Sequence, residues 1–236
     1  MSGNSKASKS EGSGAAAGIE DLKPSELGTK NYWDESYKDE LKNFKDHGIV
    51  GDVWFGEDIM YKVVSYLLDC HLVCEESKIV DLGCGNGVMI LELAREGFKN
   101  LTGLDYSENA IELSETLLTT NDHDATCTFQ MANLLEEPDK LDLGKYDVCL
   151  DKGTFDAISL CPDLPQSEAR SKYFTNVVNL MTDESIFILT SCNWTTPELI
   201  SMSADYLKVH EIIPTPQFMF GGKCGNVVSI VVFNKK

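Results

Sequence analysis

Ile79-Val80-Asp81-Leu82-Gly83-Cys84-Gly85-Asn86-Gly87 is a short β-branched run that ends in an acid and runs into three glycines at alternate positions. Val88, Leu91, Glu92, Ala94 and Arg95 follow at helical spacing, so the whole reads as strand, tight loop and helix. Glycines at 83, 85 and 87 remove every second Cβ, which frees the loop for positive φ and lets its backbone approach a ligand. A dinucleotide fingerprint, G-x-G-x-x-G, is excluded because its sixth position is Val88. Asp81 points the same way: beside a pyrophosphate, two anions would share one pocket, whereas a ligand bearing positive charge suits it.

Outward from this loop the pattern repeats. Leu101 to Asp105 and Tyr106 form a second strand ending in an acid, and Ser107 is expected to cap the next helix, with Ala110, Ile111, Leu113, Leu117 and Leu118 as its apolar positions. A third strand, Thr126 to Met131, exits at Asn133-Leu134, and a fourth, Tyr146 onward, ends at Asp151. Helix 166–181, strand 185–191, a short helix from Pro197, strand 206–213, a Pro/Gly/aromatic loop over 214–225 and strand 226–233 complete the chain. Alternating strands and helices imply an α/β fold with right-handed crossovers and a mostly parallel sheet. No helix separates the last two strands, so they are expected to form a C-terminal antiparallel hairpin. Ligands in such sheets bind beyond the strand C-terminal ends, where Asp81, Asp105, Asn133 and Asp151 converge from four loops.

Residues 1–26 have the composition of a flexible linker, which puts the start of a single domain, 27–236, near Leu27. Tyr32, Trp33, Tyr37, Leu41 and Phe44 lie near a helical stripe and read as packing. Trp54, between Gly51 and Gly56, is a loop aromatic that could lid a ligand; a helix over 57–74 comes next.

A net charge of −18, from 38 acids against 20 bases, disfavours nucleic acid and anionic membrane and favours a basic partner, though solubility accounts for it equally. The N-terminus has no apolar stretch for a signal peptide, and no run approaches the roughly 18 apolar residues of a membrane span, so a cytoplasmic protein is expected. The eight cysteines contain no C-x-x-C pair; Cys70-His71-x-x-Cys74 ends an apolar helix pattern without a second half-site, and reduced thiols with no metal are expected.

The glycine loop resembles motif I of the seven-stranded, Rossmann-like class I methyltransferases, which use S-adenosyl-L-methionine, a cofactor with an ammonium and a sulfonium and no phosphate. The resemblance narrows at Asp151-Lys-Gly-Thr-Phe-Asp-Ala-Ile158, together with Gly28-Thr-Lys-Asn-Tyr-Trp-Asp, Trp54-Phe-Gly-Glu57, Ser191-Cys-Asn-Trp-Thr195, Pro214-Thr-Pro216 and Phe220-Gly-Gly222. These resemble the eukaryotic protein-lysine methyltransferases that modify translation elongation factor 1-alpha, the methyltransferase-like protein 10 group. That resemblance implies a cytosolic enzyme acting on a lysine of this basic factor, expected as a monomer.

Within such a site Asp105 would accept both ribose hydroxyls, Tyr106 would lie along the adenine, and Asp81 would sit near the methionine ammonium, directly or by orienting the loop. The Asn133 amide would meet the adenine amino group and a ring nitrogen, where the family more often has Asp, and Leu134 would add a backbone N–H. Asp151 would dock or orient the acceptor amine, while Asn193, Trp194, Phe218 and Phe220 would line the lysine channel. A small-molecule methyltransferase and a non-catalytic scaffold remain as alternatives. The first lacks an insertion long enough for its own cap, and the second would not need intact motifs at 81–87 and 105.

Overall fold

The computed structural model describes residues 19–141, 143–220 and 223–236, with side chains outside 217–226. Seven strands make one sheet in the order β3-β2-β1-β4-β5-β9-β6: β1 (Lys78–Leu82), β2 (Asn100–Asp105), β3 (Thr126–Met131), β4 (Tyr146–Lys152), β5 (Met181–Ser191), β6 (Leu207–Ile213) and β9 (Ser229–Lys235). The first five are parallel, and β9 runs antiparallel to both β5 and β6, so the expected terminal hairpin is present with β9 inserted between its partners. The segment expected as loop 214–225 instead contains a small two-stranded hairpin, β7 (Gln217–Phe220) with β8 (Lys223–Asn226).

Side-chain alternation along the strands feeds two cores, one on each sheet face. Ile79, Val148, Leu150, Ile186 and Ile188 pack under α2 (Glu57–Asp69), α3 (Val88–Arg95) and the end of α4 (Glu108–Thr119). Val80, Leu82, Cys149, Phe187, Leu189 and Phe233 face α5 (Thr154–Ile158), α6 (Gln166–Leu180) and α7 (Thr196–Ser203). Placing α3 and α4 on one face and α5 and α6 on the other opens a crevice where the strand order reverses, between the C-terminal ends of β1 and β4. Helix α1 (Lys30–His47) sits outside α4, with Tyr37 and Leu41 packing on Ala110 and Leu113.

Two boundaries shift. Helix α2 stops at Asp69, five residues before the expected end, because Cys70 is extended and the chain turns through Val73 N–H to Cys70 O and Ser77 N–H to Cys74 O. Structure also begins before Leu27. The Leu22 N–H donates to Gln166 Oε1 at 3.0 Å while Gln166 Nε2 donates back to the Leu22 carbonyl, Asp21 pairs with Arg170 at 2.8 Å, and Ile19 and Leu22 pack against the second core. The expected flexible segment therefore overlaps the domain across 19–26, and its remainder, 1–18, lies outside the described residues.

A chain beginning at residue 27 is expected to melt about 4–8 °C below one beginning at residue 19. The loss combines part-buried Leu22 with two hydrogen bonds, about 2 kcal/mol at 2–4 °C per kcal/mol for this size. Superimposable melting curves would mean that 19–26 contributes nothing to the fold.

Candidate functional site

The loop after β1 is stitched to the neighbouring strand. Gly83 and Cys84 both donate to the Leu104 carbonyl, at 2.7 and 2.8 Å, and Gly85 N–H donates to Asp105 Oδ2 at 3.0 Å. All three glycines hold positive φ, and each is close to another part of the protein. A Cβ on Gly83 would lie 1.9 Å from Thr154 Oγ1, one on Gly85 2.5 Å from the Tyr37 hydroxyl, and one on Gly87 2.8 Å from the Ser114 side chain. Gly83 and Gly85 line the crevice; Gly87 does not, and its place in the pattern serves the close approach of α4.

Asp105 also lines the crevice. Its second oxygen accepts from Ser107 N–H at 2.9 Å, so one carboxylate holds the glycine loop and opens α4. Ser107 occupies the N-cap position but its side chain makes no cap: its hydroxyl is buried without a partner among the described residues. Burial pushes the Asp105 carboxyl up to about 6, against the pull of the backbone donors. Asp81, only 3% exposed, is not among the residues that line the crevice and accepts no hydrogen bond from the described residues. Burial pushes it up to about 7, while the Lys152 ammonium acts in the opposite direction.

Around the rim, Trp54 is 39% exposed and meets Trp33 edge-on, with ring centroids 5.0 Å apart. The loop that carries it is held by its carbonyls: Asn86 Nδ2 donates to Val50 O at 3.2 Å and Asp52 O at 3.1 Å, and Lys152 Nζ donates to Trp54 O at 3.3 Å. Tyr106 lines the wall with the Lys30 ammonium 5.6 Å from its ring centroid. Asn133 and Leu134 are there too. The Asn133 side-chain oxygen accepts from Leu135 N–H at 3.0 Å, which leaves its NH2 and the Leu134 N–H without partners among the described residues.

Besides Gly87 and Asp81, two further expected residues do not reach the crevice. Asp151 is 1% exposed, and its carboxylate accepts from Thr154 N–H at 2.9 Å, Phe155 N–H at 3.0 Å and the Tyr173 hydroxyl. The free N–H groups opening α5 have claimed its oxygens, and it lies outside the crevice lining where a substrate handle was expected. Trp194, 4% exposed, turns into the second core and donates its indole N–H to Ser159 Oγ at 3.0 Å. Asn193, one residue earlier, does face the crevice. The side chains of Phe218 and Phe220 lie outside the described residues. Sequence reasoning missed Asp156, Cys192, Asn86 and Lys152 as wall residues; only the position of Asp156, within the same turn after β4 as Asp151, hinted at one of them. Among the described residues no group of three or more His, Cys, Asp or Glu could hold a metal ion.

The methyltransferase-domain family matches residues 75–224. Among curated relatives, a Danio rerio protein named EEF1A lysine methyltransferase 2 is 43% identical over 92% of this chain and 91% of its own length. The Homo sapiens protein of that name is 39% identical, covering 90% of this chain and 88% of its own. The Saccharomyces cerevisiae protein-lysine N-methyltransferase EFM4 is 38% identical across 93% of this chain and 99% of its own. Among solved structures, the N-methyltransferase NodS from Bradyrhizobium japonicum, in complex with S-adenosyl-l-homocysteine, superposes with a TM-score of 0.62 at 14% identity, covering 86% of this chain and 98% of NodS. Magnesium protoporphyrin IX methyltransferase from Synechocystis gives 0.59 at 16%, covering 87% and 97%. The low-identity structures share the fold, and the curated relatives are similar over nearly the whole length, so the chain belongs to the class I methyltransferases and, among them, to the EEF1A lysine methyltransferase 2 family.

Proposed function

We propose that this chain transfers the methyl group of S-adenosyl-L-methionine to a lysine ε-nitrogen of translation elongation factor 1-alpha. The observation that carries the reading is the near full-length similarity to relatives named for that activity, on a chain whose crevice has the matching chemistry. Two carboxylates, Asp81 and Asp105, stand at the β1 and β2 ends, and Asp81 is a buried acid with no donor among the described residues. Such a floor repels a pyrophosphate and suits an ammonium and a pair of hydroxyls, so the residues present fit this cofactor.

When bound, S-adenosyl-L-methionine supplies an electrophilic methyl on a sulfonium. Asp105 is the acceptor for the ribose hydroxyls, with lone pairs to spare beyond its two backbone donors. Asp81 supplies the countercharge to the amino acid end. The free Asn133 NH2 and Leu134 N–H offer donors to adenine ring nitrogens, and Tyr106 offers its face. Trp54 closes over the mouth from the 48–56 loop. The protein's contribution to the transfer is then positioning and the removal of water from the nitrogen that attacks. A cytoplasmic monomer goes with this reading; among the described helices none is long and apolar enough to cross a membrane.

Incubation with radiolabelled S-adenosyl-L-methionine and purified elongation factor 1-alpha should label that protein. Asp105→Ala should abolish the label and weaken cofactor binding by at least about 100-fold in titration calorimetry, two charge-assisted hydrogen bonds being lost. It should also lower the melting temperature, because Gly85 and Ser107 lose their acceptor. Undiminished cofactor affinity in that variant would remove the ribose assignment.

The two carboxyls also set a pH dependence. Their folded-state values, about 7 for Asp81 and about 6 for Asp105, lie above those of an unfolded chain, so the protonated forms favour the folded protein without cofactor and that stability is lost as pH rises through 6 to 7. The cofactor requires the ionised forms and has the opposite sign. Its affinity should fall as pH drops from 8 through 7 to 6, approaching about tenfold per unit for each carboxyl still to be ionised, with proton release visible in calorimetry as a dependence on buffer enthalpy. Affinity flat from pH 8 to 5.5 would exclude both carboxyls from the site.

A further inference from the structure

Asp151 is committed to its helix, and the carboxylate that does line the crevice from the β4–α5 side is Asp156. It sits in the first turn of α5, lines the crevice, and is 6% exposed. Its oxygens are held from the end of β5: Ser191 Oγ donates to Oδ1 and Cys192 N–H donates to Oδ2 at 2.8 Å. A carboxylate offers about four acceptor positions; these two donors take one on each oxygen, and the Cys192 thiol and Asn193 N–H also favour its charged form.

The titratable neighbours coupled to Asp156 are all acids. Its charge contributes to holding Asp151, Tyr173 and Cys192 above their usual ranges. The two cations on the crevice wall are engaged elsewhere: Lys30 pairs with Asp34 at 2.5 Å, and Lys152 donates to the Trp54 carbonyl while its charge acts on Asp81 and Asp151. Among the described residues no ion pair reaches Asp156, although the burial that raises its carboxyl penalises an unpaired charge. The sheet order separates it from the other acids. Asp81 and Asp105 belong to β1 and β2, whereas Asp156 lies at the β4 and β5 ends with Asn193 close by.

We propose that Asp156 receives the ε-ammonium of the incoming lysine and, with Asn193, orients its nitrogen, a role separate from cofactor binding. This rests on the lysine methyltransferase reading above. The ammonium must give one proton to water at the crevice mouth before its lone pair is free. A carboxylate beside it favours the charged form and so raises the pH at which the amine becomes reactive.

The test is steady-state methylation of purified elongation factor 1-alpha by the full chain and by Asp156→Asn, with cofactor affinity measured separately by calorimetry. The variant should raise KM for the protein substrate about 10- to 100-fold, the range for one charge-assisted hydrogen bond, and leave cofactor Kd within twofold. The pH at half-maximal kcat should move down by roughly one unit, a shift that loosened packing alone would not produce. A KM within twofold of wild type, or a loss of cofactor affinity matching the loss in KM, overturns the assignment. If the melting curve shows that Asp156→Asn is unfolded, Asp156→Glu is read instead. It keeps the charge one methylene further out, so KM should rise several-fold with the pH midpoint and cofactor Kd unmoved, and an unchanged KM or a weakened cofactor would overturn the proposal. If the wild-type enzyme leaves the factor unmethylated, the functional reading falls and this assignment with it; wild-type turnover with an unresponsive Asp156→Asn removes this assignment alone.

Discussion

The site depends on one short set of hydrogen bonds, those that fasten the glycine loop to the end of β2. The Leu104 carbonyl accepts from Gly83 and Cys84, and the next residue, Asp105, accepts from Gly85. A loop held this way cannot move without unpairing three buried backbone donors, each costing about 1–3 kcal/mol. The requirement reaches well beyond the loop. Thr154, Tyr37 and Ser114, from three different helices, close in to distances that only glycine permits, so α1, α4 and α5 are positioned by the same turn that shapes the crevice.

Four buried carboxylates at the C-terminal edge of the sheet look alike in sequence and are made different by their donors. Asp151 is saturated by two backbone N–H groups and a tyrosine hydroxyl, and so stabilises the β4–α5 junction. Asp105 has one backbone donor on each oxygen and keeps capacity for a ligand. Asp156 is anchored from the far side by Ser191 and Cys192. Asp81 has none among the described residues. The number of donors already engaged therefore ranks these groups by how much they have left to give a ligand.

Most of the architecture was legible because hydrophobic period and strand-end acids are local signals. The parallel sheet, the terminal hairpin and the convergence of strand ends on a crevice all come from alternation and turn chemistry. What was not legible depends on competition between neighbours. Whether Asp151 or Asp156 faces the crevice is decided by the unsatisfied N–H groups of α5, and the crevice-facing position one turn along then falls to Asp156. Of Asn193 and Trp194, the larger and more apolar goes inward, where Ser159 accepts its indole proton. Ser107 has the right residue type for a cap and stands at the N-cap position, yet its hydroxyl bonds none of the helix N–H groups. Residues 19–26 read as linker because small polar residues dominate what precedes them, yet Leu22 and Gln166 exchange a pair of hydrogen bonds across 144 positions of sequence. No local pattern carries that contact.

The loop that carries Trp54 extends the same logic to conformation. Phe55 holds φ of 67°, the only non-glycine residue with positive φ among the described residues, at a cost of about 1–2 kcal/mol. Its ring lies against Gly153, where a Cβ would come within 3.1 Å, and the flanking carbonyls of Val50, Asp52 and Trp54 are each held by a side chain. Those side chains are Asn86, inside the glycine loop, and Lys152, the last residue of β4. The strain in the loop is thus offset by bonds that originate on the two sides of the strand-order switch. Because Asn86 follows Gly85, whose N–H is held by Asp105, the position of Trp54 on the crevice rim is tied through a short run of hydrogen bonds to the geometry of the Asp105 carboxylate.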